Sequence, residues 1–250
     1  MLHMPKRKNL LYLHTNTSDR HVVCHGVDFK SFLSYLENPP ENILLIKGVQ
    51  AGQSLHAQSG FGYACGDLEK LSAGKHGDFC WVDFKDEFAL DHLTRLDIAE
   101  LLYFGHKRRP FSTPVFPRLQ NRFAYWSHND GWLTKVYFAD GGEMRSFTAS
   151  AVTAFANAKL KVGGKLPPET AKEMAGLSEN GLLIDGGELF DAGEVYMLPF
   201  YVTGRITNMD DLLSNTALHK MNAVRRGTLR FRKKGGENPL GFWHRRLINK

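Results

Sequence analysis

The sequence predicts an α+β fold: a mixed β-sheet with flanking helices, followed by a smaller C-terminal α+β region. Three observations predict it. Short apolar runs such as Asn42–Lys47 and Phe79–Phe84 have the length of strands, not helices. Phe29, Phe32, Leu33 and Leu36 recur instead at helical spacing. Read in order, the first half runs strand, strand, helix, strand, loop, strand, helix, hairpin, an order that suggests a mixed sheet with helices beside it.

Asn9–His14 is the first strand, bounded by the polar turn Thr15–Arg20, and His21–His25 is the second. Asp28 is placed to cap a helix over Phe29–Leu36, which Pro39-Pro40 stops. Asn42–Lys47 reads as a buried strand from its unbroken Ile/Leu run. Gly48–Lys75 is rich in Gly and Ser and has no periodicity, as a long loop would. Phe79–Phe84 is the next strand. Thr94 and Asp97 form a Thr-x-x-Asp capping box, so a helix is expected from about Arg95 to Phe104, with Gly105 as its stop. Arg122–Ser127 and Trp132–Phe138 are two strands joined through His128-Asn129-Asp130-Gly131, whose Asn, Asp and Gly tolerate the backbone of a tight turn.

After Asp140-Gly141-Gly142 the texture changes. Phe147–Leu160 is Ala-rich and helical in spacing, and Pro168–Leu177 suits a further helix. Leu182–Ile184, Glu188–Phe190 and Val195–Val202 read as short strands joined by Gly turns. Asp210–Met221 suits a helix and Thr228–Arg232 a last strand. A body over residues 1–145 and a C-terminal region over 146–250 are expected, within one domain or as two.

Composition narrows the class. Of 250 residues 42% are hydrophobic and 23% charged, enough for a sizeable core and too apolar for a disordered chain. The longest apolar runs are strand-sized, whereas a membrane span needs about 20 residues. The first residues, Met1 to Lys8, lack a signal peptide's apolar stretch, and the three cysteines, Cys24, Cys65 and Cys80, are an odd, unpaired set. Both features point to a soluble protein of the reducing cytoplasm, with no membrane partner.

The net charge of +6 is lopsided. Residues 220–250 hold ten Lys and Arg against one acid, Glu237, a local charge of +9; the other 219 residues carry 22 bases against 25 acids. Such a segment favours an anionic partner, nucleic acid or an acidic protein face, unless it docks on the protein's own acidic body. Arg225, Arg226, Arg230, Arg232, Lys233, Lys234, Arg245 and Arg246 are the candidate contacts. Phe231 and Trp243 lie among them, and basic groups bind phosphates while aromatic rings stack on bases.

Two clusters suit acid–base chemistry. His76, Asp78 and Asp83 flank or sit in the strand around Cys80. Carboxylates near a strand end are placed to act as acid or base, although Asp78 also simply opens the strand. His128 and Asp130 put an imidazole beside a carboxylate at a turn; turn geometry accounts for Asp130 but not for His128. Together the five suit a small-molecule enzyme, metal-assisted or not, if they converge on one pocket. Leu93–Leu102 has the pattern of the first helix of a helix-turn-helix, but Pro110, Pro114 and Pro117 forbid a reading helix after it. No phosphate loop, dinucleotide fingerprint or nucleophile elbow is present, and Cys and His lack the paired spacing of a zinc site, so no metal is expected and no cofactor is indicated.

Val82-Asp83-Phe84, Leu93-Thr94 through Glu100-Leu101-Leu102-Tyr103-Phe104-Gly105-His106, and Asn121-Arg122-Phe123-Ala124-Tyr125 with His128-Asn129-Asp130-Gly131-Trp132 carry a resemblance. Over residues 9–140 the chain resembles a family of small soluble proteins from spore-forming Gram-positive bacteria, in which Asp is commoner than the Asn found here at 129. Some members bear the name oxalate:formate antiporter, which implies several membrane spans that this sequence lacks. The resemblance implies no activity. The sequence therefore favours a binding or regulatory protein with a basic C-terminal surface, with a His/Asp enzyme and an oligomer subunit as alternatives.

Overall fold

The computed structural model describes residues 9–47, 61–65, 79–107, 114–128, 133–160, 166–232 and 242–244. In chain order the elements are β1 (Leu10–Asn16), β2 (His21–His25), α1 (Phe29–Tyr35), β3 (Asn42–Lys47), β4 (Phe61–Cys65), β5 (Phe79–Phe84), α2 (Glu87–Asp91), α3 (Arg95–Lys107), β6 (Phe123–His128), β7 (Leu133–Phe138), α4 (Gly141–Leu160), α5 (Pro168–Ser178), β8 (Leu182–Asp185), β9 (Phe190–Asp191), β10 (Val195–Val202), α6 (Met209–Ser214), α7 (Thr216–Met221), β11 (Arg225–Arg232) and β12 (Phe242–His244). The class is α+β. Instead of the mixed sheet expected, the ladders β1·β8, β8·β10, β10·β11, β11·β12, β3·β4, β3·β5, β5·β6 and β6·β7 all run antiparallel.

The chain divides into two compact units. One holds residues 17–21 and 28–144, the other residues 1–16, 22–27 and 145–250. The chain passes from one unit to the other between residues 144 and 145. The first strand, which the sequence groups with residues 1–145, instead pairs with β8, Leu11 opposite Ile184 and Leu13 opposite Leu182.

In the unit built on residues 28–144 the strand order is β7-β6-β5-β3-β4. Strand alternation sorts its side chains. Trp81, Phe123, Tyr125 and Phe138 meet α1, whose Phe29 stacks on Trp81 with centroids 4.8 Å apart and whose Phe32 meets Phe123 edge-on at 4.9 Å. Asp28 caps α1 as expected, accepting from the Ser31 N–H at 2.8 Å. On the opposite face Leu44, Ile46, Cys80, Val82 and Ala124 bury against Leu101 and Phe104 of α3. The Thr94/Asp97 box forms, with the Asp97 N–H donating to Thr94 Oγ1 at 3.2 Å and the Thr94 N–H donating to Asp97 Oδ2 at 2.7 Å.

Gly105 does not stop α3, which runs on to Lys107. A Cβ there would lie 2.5 Å from Ile46 Cγ2, so the glycine permits helix and strand to touch. Phe61–Cys65, within the stretch expected as a long loop, adds a strand against β3.

The other unit has the strand order β2-β1-β8-β10-β11-β12, with β9 beside β10. Its core face carries Leu11, Leu13, Leu182, Ile184, Leu198, Phe200, Leu229 and Phe231, all buried. α5 packs on β1 and β8, and Thr15 and Ser178 share a hydrogen bond of 2.6 Å. α4 starts six residues earlier than its apolar run, because the Asp140 carboxylate caps it by accepting the Glu143 N–H at 2.7 Å. The helix expected over Asp210–Met221 is two, α6 and α7. Between them Asn215 leaves helical geometry, and its side-chain amide donates to Asp211 at 2.7 Å. The strand expected at Thr228–Arg232 begins earlier, at Arg225, and the turn Gly186–Glu188 replaces the first part of the strand expected at Glu188–Phe190.

Candidate anion-binding site

β10 and β11 pair over eight residues, and alternation gives the pair two unlike faces. Leu198, Phe200, Leu229 and Phe231 are buried in the core. Met197, Pro199 and Tyr201 of β10, with Arg226, Thr228 and Arg230 of β11, make up the other face and are each half-buried. In register Tyr201 stands opposite Arg226, Pro199 opposite Thr228 and Met197 opposite Arg230. In the backbone register Arg232 pairs with Val195, and His244 and Phe242 of β12 pair with Thr228 and Arg230.

The charges on this face differ in their commitments. Arg226 donates to the Met221 carbonyl at 2.9 Å, and among the described residues it has no carboxylate partner. Arg230 has none either, and its Nε is buried without an acceptor there. Arg225, on the other side of the strand, is exposed. Lys220, in contrast, is tied to Asp185 and, at 2.9 Å, to Glu188, and its side chain is only 15% exposed. One charge of the basic segment is therefore neutralised internally, while Arg225, Arg226 and Arg230 meet no carboxylate among the described residues.

Beyond Arg226 the sheet face runs into α7. A cleft of about 400 Å³ lies there, lined by Asp185, Glu188, Tyr201, Lys220, Met221 and Arg226, with Thr216 and Ala217. Tyr201 donates its phenol proton to Glu188 Oε2 at 2.5 Å, and the Lys220 ammonium sits 5.5 Å from the Tyr201 ring centroid. Burial, and then the bond to Glu188, push the Tyr201 phenol well above its ordinary range, so it stays a neutral donor. Asp185 is fixed at its other oxygen by the Gly187 N–H at 2.7 Å. Sequence reasoning missed this group because its members come from β8, the turn after it, β10, α7 and β11. Only Lys220 and Arg226 carried a signal, as part of the basic run.

Of the acid–base candidates, His76, Asp78 and Asp130 lie outside the described residues, as do Lys233, Lys234, Arg245 and Arg246 among the basic ones. His128 ends β6 opposite Leu133. Asp83 is buried in β5, where its carboxylate accepts the backbone N–H groups of Arg122 at 3.0 Å and Phe123 at 2.8 Å. The Arg122 guanidinium lies 3.5 Å from Asp83, 3.3 Å from Glu143 and 2.6 Å from the Asn38 carbonyl. Burial raises the Asp83 carboxyl above its ordinary value, against the pull of these donors. These bonds make Asp83 an anchor between β5 and the start of β6.

Among the described residues no group of three or more His, Cys, Asp or Glu is placed to hold a metal ion, and no helix is long and apolar enough to cross a membrane. No family model, no curated protein and no solved structure matches this chain.

Proposed function

We propose that this protein binds an anionic partner, a nucleic-acid strand, on the half-exposed face of β10 and β11. The observation that carries the reading is that Arg226 and Arg230 share that face, four residues apart, without carboxylate partners among the described residues and beside Tyr201. Four residues of antiparallel strand span about 13–14 Å, at about 3.4 Å each. Two cations so spaced on a sheet surface meet phosphates of one backbone, and an aromatic ring between β-strand positions offers a base a stacking surface. The core needs none of these cations, since the opposite side of the same strands supplies Leu198, Phe200, Leu229 and Phe231.

Fluorescence anisotropy with a labelled single strand of about ten nucleotides, within the usual site size of single-strand binders, tests the reading. Arg226→Ala with Arg230→Ala lowers affinity by at least about tenfold, since each arginine removes one phosphate contact. Unchanged affinity in a folded double variant removes the sheet face from consideration.

A further inference from the structure

The cleft at the Arg226 end of the row has a different chemistry from the row itself. Asp185 and Glu188 balance Lys220 and Arg226, so the walls are neutral in sum. A free phosphate gains little from a balanced cluster. A hydroxylated group gains more, because it donates and accepts at once.

The hydrogen-bond inventory leaves room for such a group. Glu188 takes one bond at Oε1 from Lys220 and one at Oε2 from Tyr201, while a carboxylate offers about four lone-pair positions. Lys220 uses two of its three N–H donors on Asp185 and Glu188. Arg226 gives one N–H to the Met221 carbonyl and holds further donors. A vicinal diol matches this set: one hydroxyl donates to Glu188 while its neighbour accepts from Lys220 or Arg226. Carboxylates recognise ribose hydroxyls in this way in dinucleotide sites. Ala217 and Met221 supply an apolar wall for the carbon face of a sugar.

Position narrows the ligand further. The cleft shares Arg226 with the arginine row and is walled on its α7 side by Thr216, Ala217, Lys220 and Met221, so the end nucleotide of a strand lying over Arg230 and Arg226 reaches it. We propose that the cleft holds the terminal ribose of an RNA strand by its 2′,3′-diol. Only a 3′ end presents both hydroxyls free, so the site selects RNA over DNA and a 3′ end over an internal nucleotide. The inference rests on the nucleic-acid reading above.

The test compares three single strands of one sequence, about ten nucleotides long, ending in a 2′,3′-diol, a 2′,3′-dideoxy nucleotide or a 3′-phosphate. The wild-type protein binds the diol strand about tenfold more tightly than either other strand, equivalent to about 1.4 kcal/mol. Glu188→Gln, checked for folding by thermal melting, shrinks that preference while affinity for the dideoxy strand holds. Equal affinities for all three strands overturn the diol site and leave the nucleic-acid reading standing. Tightest binding of the 3′-phosphate strand overturns it in favour of an anion pocket. Binding of none of them overturns both.

Discussion

Arg226 and Arg230 leave the same side of β11, opposite Tyr201 and Met197 of β10, while Leu229 and Phe231 on the other side are buried. This alternation makes the strand serve two tasks. The apolar set fixes β11 in the core, and register then fixes the arginines outside it. A slip of one residue would exchange the two sets, so the hydrophobic burial itself specifies where the charges stand.

Tyr201 separates stacking from hydrogen bonding. Tyr201→Phe keeps the ring and loses the bond to Glu188, so affinity for a strand lacking a terminal diol stays within about twofold, well under the tenfold that about 1.4 kcal/mol represents. Tyr201→Ala removes the ring and costs about 1–3 kcal/mol of binding, the scale of one base–aromatic stack. Anisotropy titrations of the two variants with the dideoxy strand check this, and equal losses would assign Tyr201 no stacking role.

Asp83 anchors the other unit. Asp83→Ala leaves the backbone N–H groups of Arg122 and Phe123 without their acceptor, a cost on the order of 2–5 kcal/mol. Asp83→Asn keeps an acceptor oxygen and costs less. Urea unfolding measures both, and an Asp83→Ala midpoint equal to that of the wild type would remove the anchor from the account.

The same carboxylate gives a pH dependence. Burial raises Asp83 above its ordinary value of 3.8 and Glu143 above 4.5. The folded protein thus holds these protons more tightly than the unfolded chain does. Their contribution is full below the ordinary values and is lost as pH climbs through the raised, folded values. Asp83→Asn with Glu143→Gln removes both titrations, so its melting temperature falls less than that of the wild type across that window. Half-buried Asp97, held low by Thr94, acts in the opposite sense but is present in both proteins and cancels. Parallel profiles would contradict the assignment.

Gly105 is a contact and not a cap. Gly105→Ala places a methyl group 2.5 Å from Ile46 Cγ2, and the overpacking costs about 1–3 kcal/mol despite alanine's better helix propensity. Ile46→Ala, which removes Cγ2, costs less in the Gly105→Ala protein than in the wild type in chemical denaturation; additive losses would show that the two residues do not meet.

Much of the local structure was legible in the sequence. Asn42–Lys47, Phe79–Phe84 and Val195–Val202 are strands at the residues expected, because strong apolar runs with polar ends leave little choice. Asp28 and Thr94/Asp97 cap as expected because capping is local chemistry. The partnership of β1 with β8 was not legible, since Leu11 and Ile184 lie 173 positions apart and no local signal links them. Gly105 misled for the same reason: its cause is Ile46, on a distant strand. The row of Arg226 and Arg230 was visible as charge, but its face became definite only with the register to β10. The cleft was invisible, because Asp185, Glu188, Tyr201 and Lys220 each look ordinary where they stand in the chain.

Salt dependence of strand binding reads the central claim most directly. The account predicts that log affinity falls linearly with log salt, with a slope steeper than about −1.4, since each phosphate met on a single strand contributes about −0.7. It also predicts that the Arg226→Ala, Arg230→Ala pair flattens that slope by about 1.4. Affinity indifferent to salt, or a slope that the two substitutions leave unchanged, would contradict it.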